Sequence, residues 1–238
     1  MIRDMKIGDI VLENTLAAEV FDHYGLDYCC HGNIKLTDAC RIKFIDITKV
    51  IHDLNETRKG DSLKEIAEGD INTLIHYIIT KHHRYVKHMA PLILQYLKEC
   101  TDTYASQYPL FVKVRKVFSK ITSDLETHTR KEEEMLFPNI IALDRKQTSN
   151  ISGNNVQTIL LRDIVEILQY EHEIAGNEML KIHELLNGFT LPVDAPPIIK
   201  TTYSALEEFE NDLHYHVLLE NFVLFARAEK LVSDIANL

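Results

Sequence analysis

The chain has 238 residues, 45% apolar and 26% charged, with eight glycines and six prolines, a composition that excludes a disordered, collagen-like or repeat architecture. Its 26 Lys and Arg against 36 Asp and Glu leave a formal charge of −10, and the basic residues are scattered rather than gathered in a stripe, so the field repels nucleic acid and anionic membranes. No apolar run approaches the roughly 20 residues of a membrane span, no signal-type apolar core follows Met1-Ile2-Arg3-Asp4, and four Cys make no secreted disulfide framework, so a reducing cytoplasm is expected.

Apolar residues recur at three- and four-residue spacing almost throughout, which predicts an all-α fold. Residues 1–57 read as a small helical domain carrying the adjacent pair Cys29-Cys30, and 58–69 as a linker, where Arg58-Lys59-Gly60-Asp61-Ser62 and Glu68-Gly69 interrupt the pattern. Residues 70–238 hold four long helical segments. The first starts at Asp70, a good N-cap, and runs to about Glu99, with Pro91 expected to bend it. The second runs from about Pro109 to Phe137, where Pro138 is expected to stop it, and the polar stretch from Asp144 to Asn155 connects it onward. The third covers about Val156 to Leu186, before Asn187-Gly188, and the fourth about Ile198 to Val232. This is the pattern of an antiparallel four-helix bundle.

Tracing each buried stripe shows what interrupts it. Ile75, Ile79, Val86, Ala90 and Leu97 share a face with His83; Val114, Val117, Ile121, Leu125 and Met135 share one with His128 and Glu132. On the third helix Leu161, Val165, Leu168, Ala175, Met179 and Leu186 flank His172; on the fourth Tyr203, Leu206, Phe209, Leu213 and Val223 flank His216 and Glu220. A lone inward His is ordinarily a hydrogen-bonded core residue, and a lone His-x-x-x-Glu pair usually lies on a solvated face. Four helices each turning one His inward at matching depth, two of them adding a Glu one turn later, point instead to a shared cation, because buried carboxylates are found paired or bound to metal. Four imidazoles with two carboxylates and no thiolate exceed a tetrahedral zinc site and suit iron or manganese. The expectation is a di-iron centre bridged by Glu132 and Glu220, with the division of the four His between the metals left open. His82 lies near the edge of the same stripe as His83; His52, His76, His88, His183 and His214 read as surface or supporting residues. Glu171 either accepts a hydrogen bond in support of the site, relays protons, or is simply solvated.

The residues then resemble a known family, the iron-sulfur cluster repair proteins, or Repair of Iron Centers family, a hemerythrin-like group. The resemblance covers nearly the whole chain: Asp27-Tyr28-Cys29-Cys30-His31-Gly32 near the amino terminus, His83, His128-x-x-x-Glu132-Glu133 leading to Leu136-Phe137-Pro138, Glu171-His172-Glu173, and His216-x-x-x-Glu220-Asn221 leading to Leu224-Phe225. It implies a cytoplasmic homodimer that repairs clusters damaged by oxidative or nitrosative stress. The same resemblance implies two oxo- and carboxylate-bridged iron ions on His83, His128, Glu132, His172, His216 and Glu220, with damaged iron-sulfur proteins and small diatomic or peroxide ligands as partners. Non-haem redox activity toward nitric oxide or peroxide is one form this takes; the alternative is a module that senses or stores oxygen or nitric oxide. His31 stands where the family usually has Gly, and could lower a neighbouring thiol pKa, and Ala226 stands where a Pro usually follows Leu-Phe. Oxygen-carrying hemerythrins use a further His one turn along the third helix, where this chain has Gly176, and fewer ligands leave open positions on iron. Cys29 and Cys30 keep three readings: a redox pair, ligands that pass iron or a cluster to a partner, or buried thiols in a tight turn. Cys40 and Cys100 read as core.

Overall fold

The helical periodicity is realised throughout the computed structural model, which describes residues 2–148 and 155–236; no strand forms among the described residues, where a single antiparallel bridge pairs Lys6 with Lys35. Five short helices come first: α1 (Ile7–Glu13), α2 (Ala17–His23), α3 (Leu36–Ile42), α4 (Ile47–Glu56) and α5 (Lys64–Glu68). Then α6 (Ile71–Tyr77) passes through a π-helical turn, Ile78–His83, into α7 (Arg84–Tyr104), and α8 (Leu110–Lys131) passes through another, Glu132–Leu136, into α9 (Phe137–Thr148). The unbroken α10 (Asn155–Leu185) is followed by α11 (Pro197–Val217), a third π turn, Leu218–Leu224, and α12 (Phe225–Ala236). Most of the expected 144–155 connection lies outside the described residues. None of the described helices is long and apolar enough to cross a membrane.

The chain divides into two compact units. One comprises residues 77–143 with α10 and α11 as far as His214, and its four long helices, α7, α8, α10 and α11, build a bundle. Its core layers are aromatic and aliphatic: Phe118 meets Phe209 edge to face at 5.0 Å, Phe111 meets Tyr203 at 6.1 Å, and Ile93, Leu97, Leu125, Leu168 and Met179 are buried around them. Buried Cys100 lies 3.3 Å from the Thr202 hydroxyl and continues the stripe one turn past Leu97, which is why the first long helix ends at Tyr104 rather than near Glu99. Its start is as expected: the backbone N–H groups of Asn72 and Thr73 donate to Asp70 Oδ1 at 3.0 and 3.1 Å.

Pro138 does not stop the second helix, contrary to expectation. It sits in the first turn of α9, directly after a π turn that has already broken the regular i−4 ladder, and the Asn139 side-chain amide donates to the Met135 carbonyl at 2.7 Å. The same π turns shift the stripe by one residue. Ile78 and Leu136 are buried, while Ile79 is half-buried and Met135 half-exposed; a separate departure lies on regular α8, where Phe118 is buried and Val117 only half so.

The other unit holds residues 2–76, the end of α9 and the chain from Tyr215 onward. Ile7, Val11, Phe21, Leu26, Tyr28, Leu36 and Val50 form its core. The segment expected as a linker is tied down here: Gly60 N–H donates to Asn14 Oδ1 at 2.7 Å, Thr15 N–H to the Asp61 carbonyl at 3.0 Å, and Leu63 N–H to the Leu12 carbonyl at 2.8 Å. Returning chain packs against these helices, with Tyr215 donating to the Thr15 carbonyl at 3.0 Å and Arg227 to the carbonyls of Ala67 and Gly69 at 3.3 and 2.7 Å.

Candidate metal centre

Each long helix that carries a π turn has it at an expected ligand: His83 closes the first, Glu132 opens the second and Glu220 lies in the third. A π turn inserts one residue into an α-helix and re-aims the side chains beside it, a device common at functional sites. His83, Glu132, His172, His216 and Glu220 have no solvent exposure, and His128 has 3%.

Within the bundle unit, Glu132 reaches in two directions. Its Oε2 lies 3.4 Å from His83 Nε2 and its Oε1 3.3 Å from His128 Nε2, while His172 Nε2 stands 2.9 Å from His128 Nε2. The donor atoms of His128, Glu132 and His172 all lie within 4.8 Å of one another, close enough to hold one ion. The outer nitrogens are fixed by other carboxylates: His83 Nδ1 is 2.8 Å from Glu133 Oε1, and His128 Nδ1 is 3.0 Å from Glu171 Oε2. An ionised carboxylate takes the Nδ1–H and leaves the Nε2 lone pair facing Glu132, the arrangement that prepares imidazole as a metal ligand.

Both supporting carboxylates stay ionised. The hydrogen bond from His128 and the ammonium of Lys131 outweigh burial and pull Glu171 down to about 2. Burial alone would raise Glu133, but Lys87, with Nζ at 2.9 Å, and His83 hold it below the usual carboxylate range. The neighbouring histidines have different partners. His83 faces Glu132, whereas His82, also buried, turns its Nδ1 to Asp212 Oδ1 at 2.9 Å.

In the other unit, His216 Nε2 and Glu220 Oε1 are 2.9 Å apart on successive turns. Cys29 and Cys30 are free thiols with their sulfurs 3.9 Å apart. The lowering expected of His31 is not seen at Cys29: the His31 ring binds Asp27 Oδ2 at 2.7 Å, and the Cys29 thiol is pushed well up by its hydrogen bond with Cys30, by burial and by the Asp27 carboxylate. Cys40 and Cys100 are buried, as expected.

Sequence reasoning gave Glu133 no role, although it stood in the quoted motif, and it missed the pairs His82–Asp212 and His183–Glu210, the latter at 2.8 Å. Their partners lie 27 to 130 positions apart, beyond any local signal. A cleft of about 300 Å³ opens beside His128, bordered by Leu125, Lys131, Glu171 and Ala175.

Comparison with known proteins matches two family models to separate stretches of the chain. A family model described as the hemerythrin HHE cation binding domain matches residues 74–228, and one described as a domain of unknown function (DUF542) matches residues 3–58. Among curated relatives, the iron-sulfur cluster repair protein ScdA of Staphylococcus haemolyticus is 26% identical, covering 92% of this chain and 95% of its own. Iron-sulfur cluster repair protein YtfE of Citrobacter koseri is 29% identical over 95% of this chain and 97% of its own, and a probable iron-sulfur cluster repair protein of Haemophilus influenzae is 27% identical over 93% and 95%.

Proposed function

The chain belongs to the hemerythrin HHE cation-binding family, and from that premise we propose that it is an iron-sulfur cluster repair protein working through a di-iron centre on His83, His128, Glu132, His172, His216 and Glu220. The observation that carries this reading is the placement of Glu132, whose two oxygens approach two imidazoles that are each held at Nδ1 by a further carboxylate. The His216–Glu220 pair repeats the same spacing with complete burial inside the family match, and supplies the remaining ligands. The donor set fits iron: imidazole and carboxylate without thiolate, too many for tetrahedral zinc. Two bound iron ions would supply one-electron chemistry toward nitric oxide, peroxide or dioxygen, and iron for release to a damaged cluster.

The chain's own residues prepare that chemistry. Glu133 and Glu171 fix the tautomers of His83 and His128, Lys87 and Lys131 keep those carboxylates charged, and the cleft beside Glu171 gives small ligands a path toward His128. Gly176, one turn after His172, supplies no further ligand and leaves a coordination position for such molecules. The protein acts in the cytoplasm as a homodimer on proteins whose clusters have been damaged by oxidative or nitrosative stress.

Anaerobic loading with ferrous iron, followed by addition to a nitric-oxide-damaged cluster enzyme, tests the reading. Two irons per chain and restored enzyme activity are expected. Less than one iron per chain would sink the di-iron centre, while two irons without restoration would make the protein a sensor or store of oxygen or nitric oxide.

A further inference from the structure

We propose that Asp27, Cys29 and Cys30 form a second metal site, mononuclear and thiolate-rich, that binds a thiophilic divalent ion such as ferrous iron or zinc and keeps one coordination position open. The donor atoms, Asp27 Oδ, Cys29 Sγ and Cys30 Sγ, all lie within 4.8 Å of one another. Their spacing is that of ligands already gathered around an ion. With metal–sulfur bonds near 2.3 Å, two thiolates of a tetrahedral site stand about 3.8 Å apart, and a thiolate and a carboxylate oxygen about 3.6 Å. Here Cys29 and Cys30 are 3.9 Å apart and Cys29 Sγ is 3.4 Å from Asp27 Oδ1.

The loop is built to hold this shape. Asp27 Oδ1 accepts the Cys30 N–H at 2.8 Å, and Tyr28 between them is buried against Phe21 with ring centroids 6.1 Å apart. Gly32 closes the turn so tightly that a Cβ there would come within 2.6 Å of the Tyr28 carbonyl oxygen. His31, exposed, takes the other Asp27 oxygen at 2.7 Å, so the carboxylate is held by a hydrogen bond, as ligating carboxylates are. Cys29 is buried and Cys30 half-buried, which leaves the fourth position on the solvent side, where a partner's thiol or a water completes the tetrahedron. Binding is charge-balanced: one divalent ion enters and two thiol protons leave.

This site is chemically separable from the His and Glu groups, whose donor set holds no thiolate, so it stands or falls independently of the di-iron centre. Cobalt(II), added anaerobically to the reduced, iron-loaded full-length chain, is the probe. One equivalent of thiolate-to-cobalt charge-transfer absorption is expected, displaced by zinc, with two protons released per ion and an affinity that rises roughly 100-fold per pH unit below the thiol pKa values. The bands should vanish in Cys29→Ser/Cys30→Ser. In His31→Ala, which removes an exposed side chain and leaves the folded loop, the cobalt affinity should fall about 10- to 100-fold. No charge-transfer absorption in the wild type, bands that persist in the double variant, or an affinity unchanged in His31→Ala would each overturn the proposal; a pair that only oxidises to a disulfide belongs to the first outcome.

Discussion

A carboxylate with no solvent exposure, such as Glu132, costs several kcal/mol to ionise unless cations lie within reach, and a neutral Glu132 would give the two flanking Nε2 atoms at most one proton. The reading of that residue as a bridging ligand therefore makes a sharp prediction. Glu132→Ala should hold less than one iron per chain by metal analysis, whereas His183→Ala, whose partner is Glu210, should keep the wild-type content. Glu171 and Glu133 are predicted to act without touching the metal. Replacing either by Gln removes the charge that fixes the Nδ1–H of its histidine, and iron affinity measured by competition with a chelator should fall about 10- to 100-fold while the fold, followed by circular dichroism, is kept. The inward placement of the six expected ligands could be read from the sequence because helical spacing puts apolar residues and the odd ionisable one on a common face. Glu133 gave no such sign. Its significance comes from His83, 50 positions away, and only packed helices bring the two together.

At the scale of the helix, the expected stripes hold along most of the regular α-helix, Val117 excepted, and slip inside two π turns at Ile79 and Met135, while Val223 in the third stays buried. Leu161, Val165, Leu168, Ala175 and Met179 are all buried on unbroken α10, but Met135 on the second helix is turned out because the extra residue rotates the face that follows. No propensity or capping signal marks a π turn in the sequence, so Pro138 looked like a stop where it is a continuation. Regularity also explains why Gly176 can be tested in isolation. It sits inside α10 and a Cβ there would meet nothing within 4 Å, so Gly176→Ala should stabilise the protein by about 0.5–1 kcal/mol in urea unfolding and leave iron content unchanged. The cap at Asp70 was legible and makes a pH prediction. Hydrogen bonds from the Thr73 hydroxyl and N–H, against a small effect of burial, hold its carboxyl below the ordinary value. A depressed folded pKa means that the stabilisation is complete above the unfolded carboxylate range and is lost as pH falls through the folded value. Asp70→Ala should accordingly lower the thermal midpoint at neutral pH, and the difference from wild type should close on acidification through that range.

For the molecule as a whole, the buried ionisable groups are a burden that metal converts into a source of stability. His83, His128, Glu132 and His172 sit in one compact unit and His216 and Glu220 in the other, all with 3% exposure or less, in a chain whose net charge of −10 already favours any state that gains cations. An ion that binds the folded chain and not the unfolded one stabilises it by mass action, about 2.7 kcal/mol when its free concentration is 100 times Kd. Stripping the iron with a chelator should therefore lower the calorimetric midpoint, and restoring ferrous iron under anaerobic conditions should raise it again with a dependence on iron concentration. Glu132→Ala supplies the control that separates a specific site from general screening. Its midpoint should sit near that of stripped wild type and stay there as iron is added, since surface carboxylates that bind cations loosely are present in both proteins; an iron-dependent rise of equal size in the variant would mean that the stabilising ions bind elsewhere.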